Sequence, residues 1–216
     1  MYDYQENFIR FALEIGALRF GEFKLKSGRI SPYFFNTGIF NSGASLGRLG
    51  HCYAESLHRA GIAYDLVYGP AYKGIPLATA LSIAAAYTSA TDKFYAFDRK
   101  EVKDHGEGGR IVGAPIQGQR VVVIDDVISS GSSILDAARV IEQAGGQVAA
   151  VAIALDRQER GDNASSAVAA VEQALSAPVV PIVTLDDLVV YLTRHQGDMA
   201  TIEAIRAYRD KYGNHH

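Results

Sequence analysis

One stretch constrains the fold of this chain more than any other: Arg120-Val-Val-Val-Ile-Asp-Asp-Val-Ile-Ser-Ser-Gly-Ser-Ser-Ile-Leu135. Val121 to Ile124 form an unbroken β-branched run. Such a run reads as a strand buried on both faces, the habit of parallel sheets. It stops at two adjacent carboxylates, Asp125 and Asp126, and then come Val127, Ile128, Ser129, Ser130, Gly131, Ser132 and Ser133. Ile134, Ala137, Ala138 and Ile141 follow on one face at helical spacing. Strand, acidic turn, small-residue loop and helix start describe an anion site beside a diol or metal site. Free N–H groups at a helix start attract phosphate, and the helix dipole adds to this. Gly131 lets the backbone approach a ligand closely. Carboxylates repel phosphate, so Asp125 and Asp126 suit sugar hydroxyls or a cation that travels with the phosphate. A plain turn with serine caps is the simpler reading. Two carboxylates and five small residues exceed what a cap needs.

The rest of the chain repeats the strand–helix alternation. An amphipathic helix is expected over residues 4–18, from Phe8, Phe11, Ala12, Ile15 and Leu18. Residues 21–36 alternate and turn at Ser27-Gly28, a β-hairpin with Lys24 and Lys26 on one face. With Arg29, Tyr33, Phe34 and Phe35 close by, it could serve as a lid or ligand platform. A helix over 44–60 ends at Gly61. A strand at 64–68 leads through Gly69-Pro-Ala-Tyr-Lys-Gly74 into a helix over 75–87, which places Tyr72 and Lys73 at a helix start. A strand over 93–97 precedes residues 98–110, which are polar, glycine-rich and without apolar period, hence a mobile loop. Strands at 147–155 and 179–185 alternate with helices over 164–175, from 186, and to about 208. The expected fold is α/β: a doubly wound, mainly parallel sheet flanked by helices, with an N-terminal helix and hairpin hood. One domain is expected over 1–216, with the hood at about 1–40 and the core at about 41–216.

Composition narrows the function classes. A chain of 216 residues with 48% hydrophobic content can bury a sizeable core. A net charge of −3 disfavours a general nucleic-acid surface. The single cysteine, Cys52, has no disulfide partner, which fits a reducing compartment. Charges near the N-terminus argue against a signal peptide, and no apolar run could span a bilayer. A cytoplasmic protein without membrane or nucleic-acid partners is expected.

Ligands of open α/β sheets sit beyond the carboxyl ends of the strands. Tyr72-Lys73, Arg99-Lys100, Asp125-Asp126 and Arg157 all fall at such ends, joined by Lys103 and His105 of the charged loop. Several cations around one acidic pair fit a ligand with several phosphates and a sugar. The Walker A loop, the Gly-x-Gly-x-x-Gly fingerprint, the Gly-x-Ser-x-Gly elbow and Cys/His zinc clusters are all absent.

Residues 122–133 resemble the 5-phosphoribosyl-1-pyrophosphate (PRPP) loop of type I phosphoribosyltransferases. Three further stretches resemble the orotate branch of that family. Phe23-Lys-Leu-Lys-Ser-Gly-Arg-Ile-Ser-Pro-Tyr-Phe-Phe-Asn36 is similar to its hairpin. Gly69-Pro-Ala-Tyr-Lys-Gly-Ile-Pro76 is similar to its pyrophosphate-side loop, and Arg99-Lys-Glu-Val-Lys-Asp-His-Gly-Glu-Gly-Gly109 to its catalytic loop. The resemblance implies transfer of phosphoribose from PRPP to orotate, with magnesium, in pyrimidine synthesis. It implies that Asp125 and Asp126 hold the ribose hydroxyls, directly or through a magnesium that has no dedicated protein ligand set. The backbone from Val127 to Ser133 would cradle the 5′-phosphate. Tyr72, Lys73, Arg99, Lys100, Lys103 and His105 would face the pyrophosphate, with Lys103, His105, Asp125 and Asp126 as the catalytic groups. Lys26, Phe34, Phe35, Ser129 and Arg157 would surround orotate, Arg157 meeting its carboxylate. It also implies a homodimer whose catalytic loop reaches the neighbouring site. Where the family commonly shows Thr-Ala-Gly-Thr-Ala, this chain has Ser129-Ser-Gly-Ser-Ser133. A transferase for another base, or a PRPP-sensing regulator of the same fold, are the alternatives.

Overall fold

The computed structural model describes residues 1–25, 28–88, 92–103, 109–160 and 166–213; for 100–103 and 109 it describes the backbone alone. It places the valine run in the middle of a six-stranded sheet of order β5-β4-β3-β6-β7-β8. These strands are β3 (Leu66–Gly69), β4 (Phe94–Lys103), β5 (Gly109–Gly113), β6 (Arg120–Ile124), β7 (Gln147–Asp156) and β8 (Val179–Thr184). All pair in parallel except β4 with β5. Among the described residues, seven α-helices surround them: α1 (Asp3–Glu14), α2 (Gly43–Arg59), α3 (Gly74–Thr88), α4 (Ser132–Gln143), α5 (Ala167–Leu175), α6 (Leu185–Arg194) and α7 (Met199–Tyr212).

Period-two alternation sorts the strand residues into two cores. Val67, Val122, Ile124, Ala152 and Ile182 face α1, α2, α3, α6 and α7. Leu66, Tyr68, Val121, Val123 and Ile153 face α4 and α5. Val121 to Ile124 have no exposed surface, as a strand covered on both faces requires. The crossover from β3 to β4 runs through α3 on the first face, and that from β6 to β7 through α4 on the second. The loops after the adjacent strands β3 and β6 therefore diverge and open a crevice at the switch point of the sheet.

Strands β1 (Leu18–Lys24) and β2 (Ile30–Phe35) form the antiparallel hairpin beside this core. Two expectations need correction. Helix α1 ends at Glu14 rather than at 18, because the chain turns at Gly16 with φ +74° and Leu18 is buried as the first residue of β1. The polar stretch 98–110 is not wholly a loop. Strand β4 runs on to Lys103 and pairs with β5, with Asp98 opposite Ile111 and Lys103 opposite Gly109. An edge hairpin is held by backbone hydrogen bonds, which polar side chains do not forbid. Among the described residues, no helix is long and apolar enough to cross a membrane.

Candidate active site

The acidic pair lies at the carboxyl end of β6, and its backbone is fixed on both sides. The Asp125 N–H donates to the Ala152 carbonyl (3.0 Å), and the buried Tyr53 hydroxyl donates to the Asp125 carbonyl (2.8 Å). The Asp126 carbonyl accepts from the N–H groups of Ala154 (2.9 Å) and Leu155 (3.2 Å). The side chains have different surroundings. Asp126 Oδ2 accepts from the Thr37 hydroxyl (2.7 Å) and the Lys73 ammonium (2.6 Å), and Oδ1 from the Val127 N–H (3.0 Å). Asp125 Oδ1 accepts from the Asp126 N–H (2.8 Å), and its Oδ2 accepts from the Ser133 hydroxyl at 3.3 Å. Burial raises the Asp125 carboxyl to about 6, and the Asp126 charge adds to this. Burial works on Asp126 in the same sense, but the hydrogen bonds from Lys73 and Thr37 outweigh it and hold that carboxyl low.

Helix α4 begins without a side-chain cap. Its N-cap is Gly131 at φ +76°, not a serine, and the Ser130 and Ser132 hydroxyls contact each other at 3.0 Å. A Cβ at Gly131 would approach Val171 Cγ2 to 2.5 Å, so glycine is needed for space as well as for backbone angle. Ser129, Ser130, Ser132 and Ser133 are exposed around this uncapped start, while Ile128 is buried beneath it. The Ser132 N–H has a long bond to the Ser130 hydroxyl (3.4 Å), and the N-cap Gly131 supplies no side-chain cap, so the start of α4, at the positive end of a helix dipole, suits a phosphate.

Across the crevice, the loop 69–74 closes so tightly that a Cβ on Gly69 would collide with the Gly74 carbonyl. The Ala71–Tyr72 peptide is cis, and the Ala71 N–H donates to Asp98 Oδ1 (2.9 Å). The other carboxylate oxygen of Asp98 faces Arg110 at 3.5 Å, which links this loop to the β4–β5 arms. Tyr72 is 66% exposed. Lys73 reaches the acidic pair while more than half of its side chain stays in solvent. Arg99 lies on β4 at the same end of the sheet.

The base-side candidates are less uniform. Arg157 follows β7 directly and pairs with Glu159 (2.6 Å) and the Tyr33 hydroxyl (3.2 Å). The rings of Phe34 and Phe35 point to opposite faces of β2. Phe34 stacks on Phe23 under Arg19, and Phe35 packs against Phe8 and Phe40. Lys26 and His105, and the side chains of Lys100 and Lys103, lie outside the described residues. The site residues that sequence reasoning missed are Thr37, Tyr53, Asp98 and Glu159. The position of Glu159 just past a strand end could have flagged it. Nothing in the spacing marks the other three.

Among the described residues, no group of three or more His, Cys, Asp or Glu gathers for a metal. Asp125 Oδ2 is the least engaged carboxylate oxygen of the pair. Two carboxylates fit a hard cation that takes most of its oxygen ligands from substrate and water.

Residues 39–181 match the family model for the phosphoribosyl transferase domain. An orotate phosphoribosyltransferase of Halorhodospira halophila is 67% identical over 213 residues, covering 99% of both chains. The chain belongs to the orotate phosphoribosyltransferases. The family member from Nitrosococcus oceani is 53% identical over 99% of this chain and 97% of its own. The crystal structure of orotate phosphoribosyltransferase from Francisella tularensis superposes with TM-score 0.87 at 39% identity, over 96% of this chain and 99% of that one. The Mycobacterium tuberculosis orotate phosphoribosyltransferase solved with PRPP superposes with TM-score 0.64, covering 86% and 98%. At 24% identity that likeness is one of fold. The family's phosphoribosyltransferase sheet is the doubly wound, mainly parallel sheet read from the sequence.

Proposed function

We propose that the crevice between β3 and β6 carries out the family reaction, in which orotate and PRPP give orotidine 5′-monophosphate and pyrophosphate. The observation that carries this reading is the uncapped start of α4 beside an acidic pair already engaged by Lys73. Phosphate fits the helix start, and the ribose hydroxyls fit the carboxylates. As the bond from ribose C1 to the pyrophosphate oxygen breaks, its electron pair leaves with the pyrophosphate. A ring nitrogen of orotate then supplies the pair for the new C1–N bond, so no protein nucleophile is needed. Positive charge builds on the sugar, as in glycoside chemistry. Asp125 and Asp126 stabilise it in this reading. Lys73, Arg99, Lys100, Lys103 and His105 receive the negative leaving group. Arg157 takes the carboxylate of orotate. Asp125 and Asp126 would help PRPP to hold a magnesium ion, which would supply screening of the phosphate charge. Hood and core act as one unit, since Thr37 at the end of the hairpin touches Asp126 of the core.

We also read the chain as a homodimer whose 99–109 loop completes the neighbouring site. Ile83 and Tyr87, exposed on α3 next to α2, give a second copy apolar surface to cover. The direct test is loss of orotate absorbance in a mixture of protein, magnesium, PRPP and orotate. Turnover of a purine base instead of orotate would overturn the reading. Lys103→Ala should lower kcat by about two decades, the scale of one lost transition-state charge contact. An unchanged kcat removes Lys103 from the mechanism.

A further inference from the structure

Two buried side-chain polar atoms lack a hydrogen-bond partner among the described residues: the Tyr68 hydroxyl and Arg157 Nη2. The second belongs to the residue that follows β7 directly. Arg157 Nη2 is 2.6 Å from Glu159 Oε1, close enough for an ion pair but out of line for a hydrogen bond. A buried guanidinium with an unmatched N–H edge asks for an acceptor.

Glu159 is itself braced. Its Oε1 accepts from the Tyr208 hydroxyl at 2.9 Å, and its Oε2 faces Arg29 Nη1 at 3.4 Å. The Arg29 guanidinium lies over the Tyr212 ring at 5.0 Å. Burial pushes the Tyr208 hydroxyl up to about 12, so at neutral pH it keeps its proton and donates. Tyr208 and Tyr212 belong to α7, which is tied to the same turn by the backbone. The Arg160 N–H donates to the Tyr212 carbonyl (2.8 Å), and Glu159 bridges to Gly213. The Tyr33 ring, whose hydroxyl meets Arg157 Nε, packs edge-on against Tyr208.

We propose that Glu159 and Tyr208 are positioning residues for the base: α7 holds Tyr208, Tyr208 holds Glu159, and Glu159 grips the buried Nη2 side of Arg157, fixing the rest of the guanidinium for the carboxylate of orotate. The inference rests on the reading of Arg157 given above and deepens it. It also accounts for charge selection. Arg29 and Arg157 together outnumber Glu159 by one positive charge, with the Arg157 side chain only 22% exposed. A base with one carboxylate neutralises that excess. A neutral base leaves it uncompensated where water screens poorly, which is costly.

Steady-state kinetics of the full-length enzyme test this with two variants. Tyr208→Phe keeps the ring and removes only the hydroxyl. It should raise the orotate KM by about three- to tenfold, the worth of one ordinary hydrogen bond since the effect is relayed through Glu159, and leave kcat and the PRPP KM within about twofold. Glu159→Gln keeps the shape and removes the charge. It should raise the orotate KM by about tenfold or more, with the same split. A merely structural role would lower the melting temperature and affect both substrates alike. Orotate KM values that are unchanged or lowered in both variants, or that rise together with the PRPP KM, overturn the inference. A wild type that fails to turn over orotate overturns the underlying reading instead.

Discussion

Burial raises the Asp125 carboxyl to about 6, while Lys73 and Thr37 hold Asp126 low. The two carboxylates are neighbours in sequence, yet pH acts on them in opposite senses. From the ordinary carboxyl range up to about 6, folded Asp125 keeps a proton that the unfolded chain has released. Stability therefore falls as pH rises through that window. The contribution of Asp126 is already complete there and is lost only at lower pH, through its depressed folded value. Thermal melts of the ligand-free protein should therefore show Asp125→Asn gaining on the wild type from about pH 4 to 6, then running parallel to it. A constant difference across the window would contradict the assignment. The sequence shows the pair but hides its asymmetry. Thr37 and Lys73 lie 89 and 53 positions from Asp126, and no local pattern says which oxygen they reach.

At the scale of elements, local signals were strongest where burial enforces a period. The β6 run, the turn at Gly131 and the apolar face of α4 were legible because a two-sided core and a left-handed turn each demand particular residue types. The outer arms of the 98–110 segment were not. Strands β4 and β5 continue there as an edge hairpin, where side chains meet solvent and leave no apolar period. The packing of Phe34 and Phe35 was also hidden, because a strand pattern assigns a face but not the neighbour that fills it. Gly131 allows a test of how tightly the cradle is built. Gly131→Ala should cost about 1–3 kcal/mol in denaturant unfolding, from a left-handed residue and a clash with Val171. It should also raise the PRPP KM, since the first turn of α4 would shift. Wild-type stability together with an unchanged PRPP KM would show that the turn tolerates a Cβ.

For the whole molecule, the order β4-β3-β6-β7 turns a linear list of motifs into one site. The alternation of strands and helices made the sheet predictable. The hood was legible as a hairpin, but its hold on the acidic pair through Thr37 was not, because that contact depends on docking. Assembly can be tested without a structure of the dimer. Lys103→Ala and Asp126→Asn chains, each inactive alone, should regain activity when unfolded together and refolded, if the loop of one copy serves the other. Random pairing leaves one intact site in half of the dimers, about a quarter of the wild-type activity. No recovery would place the loop over its own subunit's site.

The contact between Lys73 and Asp126 changes how ligand capture should respond to salt. A free ammonium gathers small anions, which an incoming phosphate must displace. Lys73 has no such need, because the protein supplies its counter-ion internally. If PRPP binds at this position as proposed, it swaps one partner for another and releases few ions to bulk solution. The salt dependence of PRPP affinity should be shallower than the number of cations around the crevice suggests. Asp126→Asn should steepen it, because the ammonium then draws its counter-ion from solution. Equal slopes for the two proteins would mean that Lys73 does not meet the phosphates of PRPP.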